Sequence, residues 1–192
     1  MRGLIALLLI LPAVPAAAQD VRIGVEIAAD GTRTLSHEVI VPAPPEQVWR
    51  AVATLEGWRE WAVPLARPVP GSDRFETGYD PDTALGAANT IEQQWIARER
   101  PRLVSFRTTR TPAGFPHAAA YLRVANTFTL EAEGSDATRV RLVGSGYTAG
   151  AEGDALIAFF REGNRSTLQQ LHKRFVSGPI AWPKQPGATK GK

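Results

Sequence analysis

The sequence predicts an α+β protein: a curved antiparallel sheet wrapped around one long C-terminal helix, with two short helices near the N-terminal end. Three observations predict it. Apolar residues recur every three or four positions through one extended stretch, 152–176. Between positions 64 and 143 there are only short β-prone runs joined by tight turns, the pattern of an antiparallel meander. A proline-opened helical segment stands between the first strands and that meander. The 192 residues leave room for one domain. A chain that is 44% hydrophobic and 21% charged is an ordinary globular one, which argues against a fibre, a coiled coil or a disordered polymer.

The first 18 residues read as a secretory signal peptide. Arg2 supplies the positive start, Leu4 to Leu11 is an unbroken apolar run, and Ala16-Ala17-Ala18 offers a small-residue cleavage site. A membrane anchor needs about 20 apolar residues, and Pro12 and Pro15 interrupt this run early. Cleavage after Ala18 would leave an exported protein, periplasmic or secreted, with no stable membrane anchor. Its single domain would span 19–178, followed by a Pro/Gly/Lys tail over 179–192 whose composition predicts disorder.

Cysteine is absent, which excludes disulfides, thiolate metal sites and a cysteine nucleophile. Lys and Arg number 22 against 19 Asp and Glu, a net charge of +3. That excess lies at the ends, with Arg2 in the signal segment and Lys184, Lys190 and Lys192 in the tail. The body between them is nearly neutral and carries no electrostatic footprint for nucleic acid.

The elements follow in order. Val21 to Ile27 and Thr32 to Val41 are β-prone, and Asp30-Gly31 between them suits a type I′ hairpin turn. Leu35, Val39 and Val41 alternate with Ser36, Glu38 and Ile40, so one face is mostly apolar; His37 reads as a strand-surface residue. Pro42-Ala43-Pro44-Pro45 ends the strand, and Pro45 can open a helix because its missing N–H costs nothing at the first position. Val48, Val52 and Leu55, with Trp49, form a helical stripe that Gly57 breaks, and Trp58 to Trp61 forms a further short turn. The strand-like pieces are Asp73–Tyr79, Thr90–Arg98, Leu103–Thr109, Arg123–Glu131 and Thr138–Ser145. The last helix carries Ile157, Phe160, Asn164, Leu168, Leu171 and Phe175 on one line, with Arg161, Glu162, Arg165, Gln169 and Lys173 off it. A bent sheet needs its apolar face covered, and only this helix is long enough. Wrapping one around the other leaves a cavity between them.

The order of elements and several strings resemble the START/birch-pollen-allergen superfamily, often called SRPBCC, with its helix-grip fold. The strings are VIVPAPPEQVW (Val39 to Trp49), Trp58-Arg59-Glu60-Trp61 before Pro64, Thr138 to Leu142, and Phe159 to Leu171. The branch it looks most like is that of secreted relatives of the activator-of-heat-shock-protein-ATPase-homologue domain, near the polyketide cyclase-like proteins. The resemblance covers roughly Thr34 to Phe175. It implies a pocket for a hydrophobic or amphipathic small molecule: a lipid, a polyketide or an aromatic metabolite. Some members of the superfamily catalyse cyclisation or hydrolysis and many only bind, so an enzyme and a binder both stay open, with a co-chaperone-like interaction domain ranked third. No cofactor is implied, and a monomer or weak dimer is expected.

The candidate site residues are Trp61, Tyr79, Trp95, Phe115, His117, Phe128, Phe160 and Asn164. Aromatic walls suit flat or greasy ligands, which favours Trp61, Tyr79, Trp95 and Phe160, with Phe128 on the apolar face of its strand. Phe115 and His117 lie in a turn-rich loop, Thr111 to His117, that could gate a cavity mouth. Asn164 is a polar residue on an apolar stripe, and a buried amide needs partners. It would satisfy sheet backbone or orient a ligand's polar end. Glu92, Gln94 and Arg107 are strand polar residues whose default is outward. His37, His117 and His172 lack paired spacing, so no metal site is expected. Gly144-Ser145-Gly146-Tyr147-Thr148-Ala149 matches a dinucleotide fingerprint in spelling only, because no βαβ unit follows it.

Overall fold

Eight strands and four helices account for residues 20–183, the part of the chain that the computed structural model describes. The signal-like segment and the tail beyond residue 183 lie outside the described residues. In chain order the elements are β1 (Arg22–Ile27), β2 (Arg33–Val41), α1 (Pro45–Ala53), α2 (Leu55–Trp61), β3 (Leu65–Pro68), β4 (Arg74–Gly78), β5 (Ile91–Glu99), β6 (Leu103–Arg110), α3 (Ala118–Tyr121), β7 (Ala125–Glu133), β8 (Ala137–Tyr147) and α4 (Ala151–Ser177). The strands form one antiparallel sheet in the order β1-β2-β8-β7-β6-β5-β4-β3. This is the α+β architecture the sequence predicts, with β3 and α3 added. No described helix is long and apolar enough to cross a membrane.

Between β1 and β2 the loop is longer than a two-residue type I′ turn. Ala28 N–H donates to Thr32, Gly31 N–H donates to Ala28, and Gly31 alone takes a positive φ, of 82°. That is a three-residue loop, a type I turn closed by a left-handed glycine. The Asp30 carboxylate accepts from Thr32 N–H at 2.9 Å and takes over the turn's capping.

The α1/α2 break falls at Thr54, not Gly57. Thr54 leaves the helical region at φ −123° and its Oγ1 accepts from Gly57 N–H at 3.0 Å, capping α2. Gly57 sits inside α2 because α1 crosses it closely: a Cβ there would stand 2.7 Å from Ala51 Cα. The two helices thereby cover one end of the sheet. The Trp58 and Trp61 indole N–H groups donate to the Val52 and Ala51 carbonyls at 2.7 and 2.9 Å, which turns both rings inward.

Helix α4 starts at a glycine N-cap with no side-chain cap. Arg33 of β2 anchors this end to the sheet instead, donating to Asp154 and to the carbonyls of Thr148 and Gly150. The predicted stripe is the buried face: Ile157, Asn164, Leu168 and Leu171 are buried, and Phe160 and Phe175 half-buried. Past Gly178 the chain stays against α2, where Ile180 N–H donates to Glu60 and the Trp182 indole to Arg59.

His37 is a correction to the sequence reading. It is fully buried, with Nε2 2.9 Å from the Arg161 carbonyl of α4. Its parity with Leu35 and Val39 places it on the inner face of β2.

The core divides in two along α4. One cluster gathers Val39, Val48, Trp58, Trp61, Phe75, Phe106, Phe128, Leu142, Leu168 and Leu171. The other gathers Leu35, Ala120, Val124, Tyr147, Leu156 and Ile157. Asn164 stands on α4 between Ile157 and Leu168, at the divide.

Candidate functional site

The gap between the two clusters is a cavity of about 200 Å3. Apolar walls come from Trp58 and Trp61 of α2, Phe106 of β6, Phe128 of β7, Leu142 of β8 and Phe160 of α4. The half-exposed Ala62, Ile91, Thr167 and Gln170 and the 68% exposed Tyr79 form its outer rim. Trp58 and Phe106 meet edge to face at 5.3 Å, and Tyr121 stacks on Phe160 at 4.6 Å.

Polar groups share the lining with these walls. Thr77, Gln93, Tyr121, Asn126 and Asn164 all reach the cavity. Gln93 Nε2 donates to Thr77 Oγ1 at 3.0 Å across β4 and β5. Burial pushes the Tyr121 phenol above its ordinary value, and the Thr108 and Asn126 side chains facing it pull it partly back. Asn164 is 9% exposed and its Nδ2 has no hydrogen-bond partner in the protein. The donor is enclosed by its neighbours without a bond to sheet backbone.

Of the eight residues named from sequence, Trp61, Tyr79, Phe128, Phe160 and Asn164 line this cavity. Trp95 stands behind the wall. It stacks on Phe75 at 4.2 Å and meets Trp58 edge-on at 6.2 Å, so it braces the lining and does not form it. Phe115 packs at 5.3 Å from Tyr121 and 6.5 Å from Phe160, on the outer side of both. His117 is outside too. It opens α3 in a left-handed conformation, φ 54°, with Nδ1 3.5 Å from Glu152 of α4. Gln94 and Arg107 face away from the cavity and bond each other at 2.8 Å, and Glu92 pairs with Arg74 at 2.9 Å.

Sequence reasoning missed Thr77, Gln93, Tyr121 and Asn126. A usable signal existed for three of them. Thr77 shares parity with the buried Phe75, Gln93 with Trp95, and Asn126 with Phe128. Tyr121 follows from α3, which no periodicity announces.

The loop at the cavity rim is anchored from outside. Glu76 of β4 is 1% exposed and faces away from Thr77. One oxygen accepts from Arg67 at 2.6 Å, and the other from Thr90 Oγ1, Gly86 N–H and Arg110 at 2.5, 2.9 and 2.8 Å. Burial pushes this carboxyl up, but its donors outweigh burial and hold it below the ordinary value. The segment 79–90 is therefore tied to the sheet, with Tyr79 at its start.

A wider hollow of about 490 Å3 lies between α1, α2 and the end of α4. It is a polar surface groove in which Glu60 is paired with Arg174 at 2.6 Å, and it has no aromatic walls comparable to Trp58, Trp61, Phe106 and Phe128. Among the described residues no group of His, Asp and Glu is placed to hold a metal.

A sheet curved around a terminal helix, with aromatic walls and a few polar groups between them, defines a helix-grip domain with an internal small-molecule cavity. The chain belongs to the family described as polyketide cyclase/dehydrase and lipid transport, whose model matches residues 32–176. That description suggests hydrophobic ligand binding for the class. Solved structures agree on the fold. The Aha1 dimer of Colwellia psychrerythraea aligns with a TM-score of 0.57 at 17% identity, over 76% of this chain and 97% of that one. CalU16 of Micromonospora echinospora aligns at 0.56 and 16%, over 86% and 88%. Protein MLL2253 of Mesorhizobium loti aligns at 0.58 and 21%, over 77% and 100%. No curated protein matches the chain at a significant level.

Proposed function

We propose that this protein binds a small hydrophobic molecule with one polar end, in the cavity between the sheet and α4, and carries it outside the cytoplasm. The observation that carries the binding is the split core: aromatic walls around about 200 Å3, with the unpartnered Asn164 amide at the divide. A structure built for stability alone would close that gap with packed side chains. Volume narrows the ligand. A dry cavity of about 150 Å3 accepts benzene, so this one suits one or two rings. Among lipids, polyketides and aromatic metabolites, the last class fits best. Export rests on the signal-like residues 1–18. Binding is favoured over acid–base turnover because Tyr79 and Tyr121 are the titratable groups in the lining.

The test is native mass spectrometry of the protein purified from the periplasm of a producing cell, followed by denaturing extraction and N-terminal sequencing. A stoichiometric small aromatic adduct on a chain beginning near Gln19 is expected. A full-length cytoplasmic chain with no adduct, and with no affinity for small aromatics, would overturn both parts.

A further inference from the structure

The two edges of the sheet are not alike. β3, at one end, has four residues, follows Pro64 and ends on Pro68, and proline denies a neighbouring strand the N–H it needs. β1, at the other end, has six residues, RIGVEI, and no proline. It pairs with β2 in unbroken register from Arg22↔Glu38 to Ile27↔Arg33. Among the described residues nothing pairs with its outer edge. We infer that this edge is a self-association surface. β1 of a second copy of the chain pairs with it antiparallel, about a two-fold axis at Gly24, with Arg22 of each copy opposite Glu26 of the other.

The register follows from the ladder and the charges. Opposed residues of an antiparallel ladder must both direct their backbone groups across the seam, and that direction alternates along a strand. Two copies of one strand can therefore oppose only residues an even number apart, which also keeps each face together. Centring on Gly24 sets Arg22 opposite Glu26 twice and Ile23 opposite Val25 twice. Centring on Ile23 would set Glu26 against Asp20, and centring on Val25 would set it against Gly24. Only the first register matches the charges.

The outer face is prepared for it. Arg141, Glu38 and Arg22 stand opposite one another on β8, β2 and β1, a row of alternating sign. Arg22, at the open end, is 81% exposed and 3.6 Å from Glu38. Glu26 is 73% exposed and 3.4 Å from Arg141. Glu26 of the second copy would be the next member of the row. On the inward face Val25 and Ile27 are exposed at 37% and 71%, although their partners there include the buried Leu35. In the paired copies Val25 meets Ile23 and Ile27 falls opposite Val21, so apolar surface leaves water. A strand of another protein would supply backbone but not this complementarity, which is that of an isologous contact. Five opposed residues a side make a small seam, which places the dimer in the weak, reversible class.

Sedimentation velocity of the purified protein, at concentrations up to about 1 mM, tests this with a charge swap. A reversible monomer–dimer equilibrium is expected. Arg22→Glu and Glu26→Arg should each weaken the dimer roughly tenfold, because two attractive pairs become two repulsive ones. The double variant Arg22→Glu, Glu26→Arg should restore the parent constant. Both side chains are exposed, so melting temperatures should stay at the parent value and keep loss of pairing distinct from loss of fold. A monomer at every concentration, a dimer indifferent to the single swaps, or a double variant as weak as the singles would each overturn the inference.

Discussion

The Nε2 of His37 and the carbonyl oxygen of Arg161 lie 2.9 Å apart, and this contact ties β2 to α4 from inside the core. A carbonyl only accepts, so Nε2 carries the proton and Nδ1 is the bare nitrogen. Nδ1 is buried and has no partner. Protonating it would place a charge and an unanswered N–H in the interior.

Stability should accordingly fall on mild acidification. Burial, first, and the nearby Arg161 and Arg165 charges hold the His37 pKa below its ordinary 6.5, against the opposing pull of the carbonyl bond and Glu162. The folded protein therefore binds fewer protons than the unfolded chain below that value. The contribution is complete above pH 6.5 and is lost as pH falls through the folded-state pKa. His37→Gln retains a donor toward Arg161 and cannot titrate. The gap between urea midpoints at pH 7.5 and 5.5 should be clearly smaller for this variant than for the parent protein, with His172, also held below 6.5 by burial, supplying the remainder. Equal divergence in both would remove His37 as the cause.

Glu76 supports the rim loop by a buried ionic cluster. Glu76→Ala would leave Arg67 and Arg110 without their shared carboxylate and cost about 3 kcal/mol, the low end for a broken buried pair, because both arginines keep partial access to water. The segment 79–90 should loosen first. Thermolysin, which favours bulky apolar sites, should cut at the exposed Leu85 much faster in the variant. The carboxyl sits below its ordinary 4.5, so its contribution holds above that pH and is lost as pH falls through the lowered value.

Two glycines should respond to alanine with opposite sign. At Gly57 the new methyl would collide with the α1 backbone at Arg50 and Ala51, which should cost roughly 3 kcal/mol or prevent folding. At Gly163 a Cβ meets nothing within 4 Å, and the position is helical. Gly163→Ala should stabilise by about 0.5–1 kcal/mol through reduced backbone entropy in the unfolded chain. Thermal melts of the two variants test both.

Asn164→Leu should raise stability. It replaces an unpartnered buried amide by apolar volume in an apolar stripe. A gain of about 1 kcal/mol is expected, read as a melting-temperature rise of roughly 2–4 °C. A fall in melting temperature would mean that the amide is satisfied within the fold.

The sequence disclosed α4 better than the sheet. Helical periodicity is local, so the line from Ile157 to Phe175 could be read directly, and Asn164 stood out on it. Strand residues declare a face only relative to neighbours that arrive later. Glu92, Gln93 and Gln94 are consecutive and polar, and parity with Trp95 picks out Gln93 only once pairing with β4 and β6 settles which face is inward. Trp95 shares its face, yet Phe75 occupies the space before it and converts a wall into a brace. His37 was misread because Ser36 and Glu38 flank it, although its parity with Leu35 was legible. Gly57 reads as a helix breaker from sequence, and the close approach of α1 that instead requires a glycine there is tertiary.

The pairing of β2 with β8 joins Val39 to Val140 and so brings the early chain to the late chain. On a ribosome, β1 and β2 emerge long before their partner strand exists. The hairpin they form alone is marginal in water, and the helix that buries its inner face comes last. Folding must therefore wait for the chain to be nearly complete, and long-range closure of this kind is slow. Truncation before β8 should accordingly leave β2 unpaired and unfolded, and chaperones or proteases would meet a long-lived open chain during every round of synthesis.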